Sequence, residues 1–169
     1  MRALCFTAAC GLSIALAALS GGLSSAQSSV ADLGFRARVA DQSFVPTQVS
    51  ASTAKIGGKE FINITGNRKG AQIASLGFNI AGHDVGTYPL GRDPLTGSHG
   101  RYTTDLIGAD INEDIYRFES GSVVISRYNA ATHVVSGTFS AVAKNRSGKS
   151  LAITDGVFTD IAVTQVPTQ

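Results

Sequence analysis

The feature that most constrains this chain is an alternation of period two near its C-terminus. Across residues 133–143 the odd positions His133, Val135, Gly137, Phe139, Ala141 and Ala143 are mostly apolar, with Ser136, Thr138 and Ser140 between them. Successive side chains of a β-strand point to opposite faces, so the pattern predicts a strand with one dry face, Val135 and Phe139 turned inward. The preceding run 122–128 carries Val123, Val124 and Ile125, and the short polar stretch between the two predicts a β-hairpin. A second polar turn follows at Lys144, Asn145, Arg146, Ser147, Gly148 and Lys149. Strands are then expected at 151–154 and 157–163, separated by a tight turn or bulge at Asp155–Gly156, with Val157, Thr159, Ile161 and Val163 on one face of the last.

The N-terminal half reads similarly, with strands predicted at 33–39, 48–54, 60–65, 71–80 and 101–106. In the fourth, Ala74, Leu76, Phe78 and Ile80 form an apolar face against Ser75, Gly77 and Asn79, and Gly57–Gly58 supplies a turn between the second and third. Nineteen Gly and only 15% charged residues suit pleated sheet and turns better than helices. The expected fold class is all-β. A single flat sheet would leave an apolar face in water, so the preferred architecture is an antiparallel β-sandwich of about 8–10 short strands. The alternative is a closed up-and-down or lipocalin-like barrel.

The first residues read as a secretory leader. Arg2 precedes an uncharged run from Ala3 to Leu19, Gly21 and Gly22 end it, and Ser24, Ser25 and Ala26 place small residues before a cut between Ala26 and Gln27. The expected organisation is a signal peptide over 1–26, a short polar tether over 27–32 and one β domain over 33–169. An uncleaved anchor and lipidation at Cys10 are the rivals. The residues before Cys10, Thr7, Ala8 and Ala9, lack the Leu of a lipobox, and the apolar run continues past it. Both cysteines, Cys5 and Cys10, fall in the leader, so the cut chain would hold no disulfide or thiolate metal site. The implied location is exported: periplasmic, cell-surface or extracellular.

Several stretches carry a family resemblance: Gly121-Ser122-Val123-Val124-Ile125, Ser136-Gly137-Thr138-Phe139-Ser140, Ala143-Lys144-Asn145 and Ile153-Thr154-Asp155-Gly156-Val157-Phe158. Over 121–158 the chain resembles small exported or lipid-anchored β domains of unknown function common in the Bacteroidota. Gly86-Thr87-Tyr88-Pro89-Leu90 is similar to an upstream element of the same group. The resemblance implies an envelope-associated β domain and transfers no catalytic residue.

The chemical inventory is sparse. A net charge of +2 is too small to hold a polyanionic nucleic acid by counterion release, and neither glycine-rich phosphate motif occurs, so no nucleic acid, nucleotide or other cofactor is implied. Asp110, Asn112 and Asp114 alternate like the start of a calcium loop and are the calcium candidates, but Ile115 and Gly121 stand where an EF-hand needs Gly and Glu. No metal site is therefore expected. His83, His99 and His133 lack zinc spacing. Ser98 with His83 could be drawn as a hydrolase pair, and Asp105 with Asp110 or Glu113 with Glu119 as glycosidase carboxylates, but no Gly-x-Ser-x-Gly elbow is present. Basic residues gather at two expected turns, Arg68–Lys69 and Lys144, Arg146 and Lys149, where adjacent tips could hold an anionic polysaccharide or a lipid headgroup. Trp is absent, which removes the best sugar-stacking platform, and Asn63 and Asn145 open glycosylation sequons expected to be idle.

The irregular, Gly- and Pro-rich segment 81–99 resembles a functional loop. The binding candidates around it are His83, Asp84, Tyr88, His99, Arg101 and Tyr102. Together these readings predict no enzyme but an exported, non-catalytic β domain with a binding or structural role. The partner classes open to it are envelope polysaccharide, lipid or another surface protein. The alternatives are a small-ligand carrier built on a lipocalin-like barrel and an envelope hydrolase.

Overall fold

The computed structural model describes residues 33–56, 58–70, 73–94, 97–105 and 110–165. The expected leader, the Ala26–Gln27 cut, Cys10 and the tether lie outside the described residues. The described chain is all-β, with ten strands and no helix: β1 (Phe35–Val39), β2 (Gln42–Phe44), β3 (Gln48–Ile56), β4 (Lys59–Arg68), β5 (Ala74–Ile80), β6 (Gly86–Pro89), β7 (His99–Thr103), β8 (Ile115–Asn129), β9 (Val134–Lys144) and β10 (Ser150–Thr164).

The expected sandwich is corrected to the barrel alternative. Strands β10, β3, β4, β5, β7, β8 and β9 pair in that order and β9 returns to β10, closing a ring of seven. Its neighbours are antiparallel except β10 and β3, which run parallel with Val163 opposite Ala51 and Thr164 opposite Ser52. An odd ring cannot alternate direction at every seam, so one parallel pair is a geometric necessity. Closure follows from two long strands. β8 and β10, 15 residues each, both shift register twice against the straight β9: between Phe118 and Ser120, Ile125 and Arg127, Ile153 and Gly156, and Phe158 and Ile161. Each bulge adds a residue on one strand and bends it, curling the sheet until its ends meet.

The same bulges are where each long strand changes neighbours. β10 pairs with β1 along Ile153–Phe158 and with β3 beyond, and Thr159 N–H, between the two, bonds the Gly34 carbonyl. β8 pairs with β7 along Ile115–Arg117 and with β6 along Ser122–Ile125, and the Gly121 carbonyl accepts Leu90 N–H at the change.

From Val135 onward β9 follows the predicted alternation, with Val135, Gly137, Phe139, Ala141 and Ala143 inward and Thr138, Ser140, Val142 and Lys144 outward; His133 lies before the strand and is exposed, and Ser136, expected on the wet face, is buried against Asp160. The predicted face of the last strand is corrected. Residues 151–164 form one strand whose inward set runs Ile153, Gly156, Phe158, Ile161, Val163, so Val157 and Thr159 face away. The Thr159–Asp160 bulge flips the alternation, since a one-residue slip moves every later side chain to the other face. Inside the ring, the rings of Phe35, Phe78, Phe139 and Phe158 pack at centroid separations of 4.8 to 6.5 Å, surrounded by buried Ile62, Ile64, Leu76, Val123, Ile125 and Ile153.

The hairpin turns are set by side-chain capping. Asn129 Oδ1 accepts the N–H groups of Ala131 and Thr132, and Asn145 Oδ1 accepts that of Lys149 at 2.8 Å. Strand direction brings the 145–149 turn, the 110–114 loop and the β4–β5 connection to one end of the barrel.

Candidate functional site

Polar groups converge on the outside of the barrel. The wall of β4, β5 and β7 pairs Asn63 with Asn79 and Asn79 with His99, so these three side chains stand side by side on the solvent face. Thr65 Oγ1 donates to Asn63 Oδ1 (3.2 Å), Asn63 Nδ2 to Asn79 Oδ1 (3.1 Å) and Asn79 Nδ2 to His99 Nε2 (3.0 Å). With Nε2 accepting, Nδ1 carries the proton and donates to the Gly97 carbonyl at 3.1 Å, so one direction runs through the chain of bonds. The next register row is Thr65, Gly77, Arg101 and Arg117. Gly77 leaves a bare floor in the wall: a Cβ there would stand 2.7 Å from Thr65 Oγ1.

The segment after β6 overhangs this floor. Gly91, Arg92 and Pro94 complete a groove of about 440 Å³ with Asn63, Asn79, His99, Arg101 and Arg117. A second depression, of about 510 Å³, adjoins it. Arg92 and Arg117 line both, and Lys144, Asn145 and Arg146 line the second. Arg92 Nε donates to Glu119 Oε1 at 2.6 Å, and this contact raises the already high pKa of the guanidinium.

Of the binding candidates, His99 and Arg101 line the groove. Tyr102, of opposite parity to both, turns into the barrel opposite Leu76, where its ring meets Phe44 edge-on at 6.1 Å and burial raises its phenol pKa. It belongs to the core. His83, Asp84 and Tyr88 form a separate group. Tyr88 Oη donates to the Asp84 carbonyl at 2.8 Å, with its pKa raised by burial and then by the Asp84 charge. His83 lies 5.2 Å from the Tyr128 ring and 3.9 Å from Glu60. Sequence reasoning missed Asn63, Asn79, Arg92 and Arg117 as partners of His99. The available signal was parity, since Ser75, Gly77 and Asn79 already stood on the wet face of their strand.

The other candidates are held in local structure. Asp110 Oδ1 accepts Asn112 N–H at 2.8 Å; Asp114 accepts the Thr104 hydroxyl at 2.6 Å and Asp110 N–H at 2.9 Å. These two bonds, the hydroxyl first, hold the Asp114 carboxyl below the usual aspartate range. Whatever stability they lend is present above the ordinary aspartate pKa and is lost as the pH falls through the depressed folded value. Among the described residues no three His, Cys, Asp or Glu side chains gather as a metal set. Ser98 is buried, its hydroxyl accepting Ala81 N–H at 3.0 Å, and His83 turns to Glu60 and Tyr128. Asn145 is buried too. Its amide donates to the Glu113 carbonyl, its oxygen takes Ser147 Oγ and Lys149 N–H, and in the folded chain that sequon amide faces inward. The two basic turns share one end of the barrel, but Arg68 lies over the Phe44 ring at 5.5 Å while Arg146 lines the second depression.

No curated protein and no solved structure matches the chain. Residues 32–162, from the edge of β1 through most of β10, match the profile of a domain of unknown function, DUF6252, and the chain belongs to that family.

Proposed function

We propose that this chain is an exported, non-catalytic binding domain that takes its partner on the outer wall of a solid barrel. The observation that carries the reading is the contrast between the two faces of one sheet. The inner face is filled by contacting phenyl rings, which leaves a lipocalin-like carrier no room along that stretch of the axis. The outer face of β4, β5 and β7 carries hydrogen-bonding side chains already locked to one another, and such preorganisation lowers the ordering cost of binding. The groups a hydrolase would need are engaged elsewhere, Ser98 with Ala81 N–H, Glu119 with Arg92 and Glu113 with Ser147. The leader-like residues 1–26 supply the export half of the reading.

Two measurements on protein expressed from the whole sequence test it. Intact mass of the exported protein is expected to begin at Gln27. A thermal-shift screen against neutral and acidic polysaccharides, peptides and vesicles is expected to find a stabilising polymer whose length is unchanged after incubation. Retention in the cytoplasm with residues 1–26 attached, or shortening of the bound polymer, overturns the proposal.

A further inference from the structure

Three cations stand in one line across the outer wall. Arg101 on β7 is opposite Arg117 on β8, and Arg117 is opposite Lys144 on β9; all three are solvent-exposed. Adjacent strands lie about 4.8 Å apart, so the row spans about 10 Å. Like charges directly opposite one another destabilise a sheet. None of the three has an ion-pair partner among the described residues. Of the carboxylates bordering the row, Glu119 is bound to Arg92 and Glu113 bonds Ser147 and Asn145. The row thus concentrates positive potential on a surface whose overall charge balance is nearly even.

The row also joins two grooves of different character. On the β4–β5 side are the amides of Asn63 and Asn79, Thr65 and the His99 imidazole; on the β9 side are Lys144 and Arg146, with Arg92 and Arg117 facing both. We propose that this continuous groove binds an acidic oligosaccharide, with Arg101, Arg117 and Lys144 pairing its carboxylate or sulfate groups, Asn63 and Asn79 bonding its hydroxyls, and His99, its two ring nitrogens taken by Asn79 and the Gly97 carbonyl, holding Asn79 in place. The inference rests on the reading of the outer wall as the binding face. The Asn63 and Asn79 amides, each keeping one N–H and one oxygen lone pair outside the chain of bonds, suit hydroxyls, and guanidinium forks suit oxyanions. A protein partner would call for an open apolar or aromatic anchor pocket; here the aromatic lining residue, Phe118, is fully buried beneath the floor, and the side chains that reach the groove are mostly amide, hydroxyl and cation, with Pro94 at its rim. A bilayer would call for an apolar patch. The exposed large apolar side chains Leu33, Val45, Val85, Ile111 and Val142 stand on separate elements, and of these Ile111 alone lines the second depression.

Calorimetric titration of the mature chain decides. The probes are hexameric oligogalacturonate, hexameric maltose polymer, polyglutamate and phosphatidylglycerol vesicles, at about 20 mM and about 300 mM salt. Oligogalacturonate is expected to bind best, and to weaken at the higher salt. Arg117→Gln and Lys144→Gln should each weaken it by about threefold to fivefold, Arg117→Lys less, and the triple change R101Q/R117Q/K144Q should abolish it. The unliganded triple variant should melt no lower than the parent at low salt, because its repulsion is gone. Should the triple variant not fold, titration of the parent must move the Arg101 and Arg117 side-chain Nε resonances, and shifts confined to another face overturn the proposal. Unchanged affinity in the triple variant also overturns it, as does equal or tighter binding of polyglutamate or vesicles. Binding of the neutral hexamer with no dependence on the cations overturns this inference and leaves the wall-binding reading standing; absence of any polymer binding removes both.

Discussion

Gly137 and Phe158 face each other across β9 and β10, and two residues along the same pair Phe139 faces Gly156. The arrangement is reciprocal: each strand offers one ring and one bare position. A Cβ on Gly137 would stand 2.5 Å from the Phe158 ring, and one on Gly156 would stand 2.7 Å from the Phe139 ring. Glycine here serves close approach, letting two large rings lie over the opposing backbone and reach the cluster on the barrel axis. Gly137→Ala must therefore both move the Val124 carbonyl, the nearest atom to that position, and push the Phe158 ring off its site. Overpacking of this kind costs about 1–3 kcal/mol, and urea unfolding should show the midpoint falling with little change in slope. A midpoint equal to the parent's would mean that Gly137 is not a packing position. The alternation of 133–143 was legible in the sequence, including the inward turn of Phe139. The Gly137–Phe158 pairing was not, because register between strands depends on where the bulges fall. The same gap explains Tyr102, whose chemistry suits a binding surface and whose parity, set by Leu76 across the β5–β7 pair, sends it into the core.

At the scale of elements, the bulges decide the fold class within all-β. Asp155 and Asp160 both adopt left-handed backbone, with φ of 52° and 53°, inside a strand that otherwise continues on either side. Asp tolerates this region better than most residues, and a β-branched residue does not. Asp155 is a clean place to test it, since among the described residues its side chain makes just one long hydrogen bond, accepting from Thr154 Oγ1 at 3.5 Å. Asp155→Val should destabilise the domain by about 1–2 kcal/mol, whereas Asp155→Gly should fall within about 0.5 kcal/mol of the parent. Equal effects of the two would show that backbone strain at the bulge is unimportant. Of the two bulges in β10, Asp155–Gly156 announced itself through its turn-forming dipeptide. Thr159–Asp160 carries no such mark. It is pinned from outside, by Ser136 Oγ, which accepts Asp160 N–H at 2.9 Å and donates to its carboxylate, and by the Arg127 ion pair. Those partners are distant in sequence, and so the sheet curls into a barrel where local pattern alone favoured two flat layers. The candidate site suffered likewise: His99 and Arg101 stood out from their irregular segment, but their neighbours are assembled by pairing among four strands.

At the scale of the whole molecule, the ring has two short seams, and one of them is parallel. Seven strands force one parallel seam, and the chain puts it between the first and last strands of the ring, β3 and β10. Parallel pairing is slightly less stable per residue than antiparallel, and here it is also short, with Val163 and Thr164 set against Ala51 and Ser52. The β7–β8 seam is also short but antiparallel, Arg101–Thr103 against Ile115–Arg117, and the rest extend further, β9 meeting β10 from Ser150 to Ala162 and β8 from Arg117 to Asn129. Two side-chain bonds clasp the short seam from the end of β10: Gln165 Oε1 accepts Thr53 Oγ1 at 3.4 Å, and its amide meets His133 Nδ1 at 3.3 Å. Both are long, and the second is exposed. Local opening therefore has a preferred route, in which β3 and the end of β10 part while the β8–β9–β10 unit stays paired. Native-state hydrogen exchange should find the amides bonded across this seam exchanging at least about tenfold faster than those in the middle of β9, with Gln165→Ala widening the gap. If the seam amides instead exchange at the rate of global unfolding, the barrel opens only as a whole, and closure is as cooperative as the core that fills it.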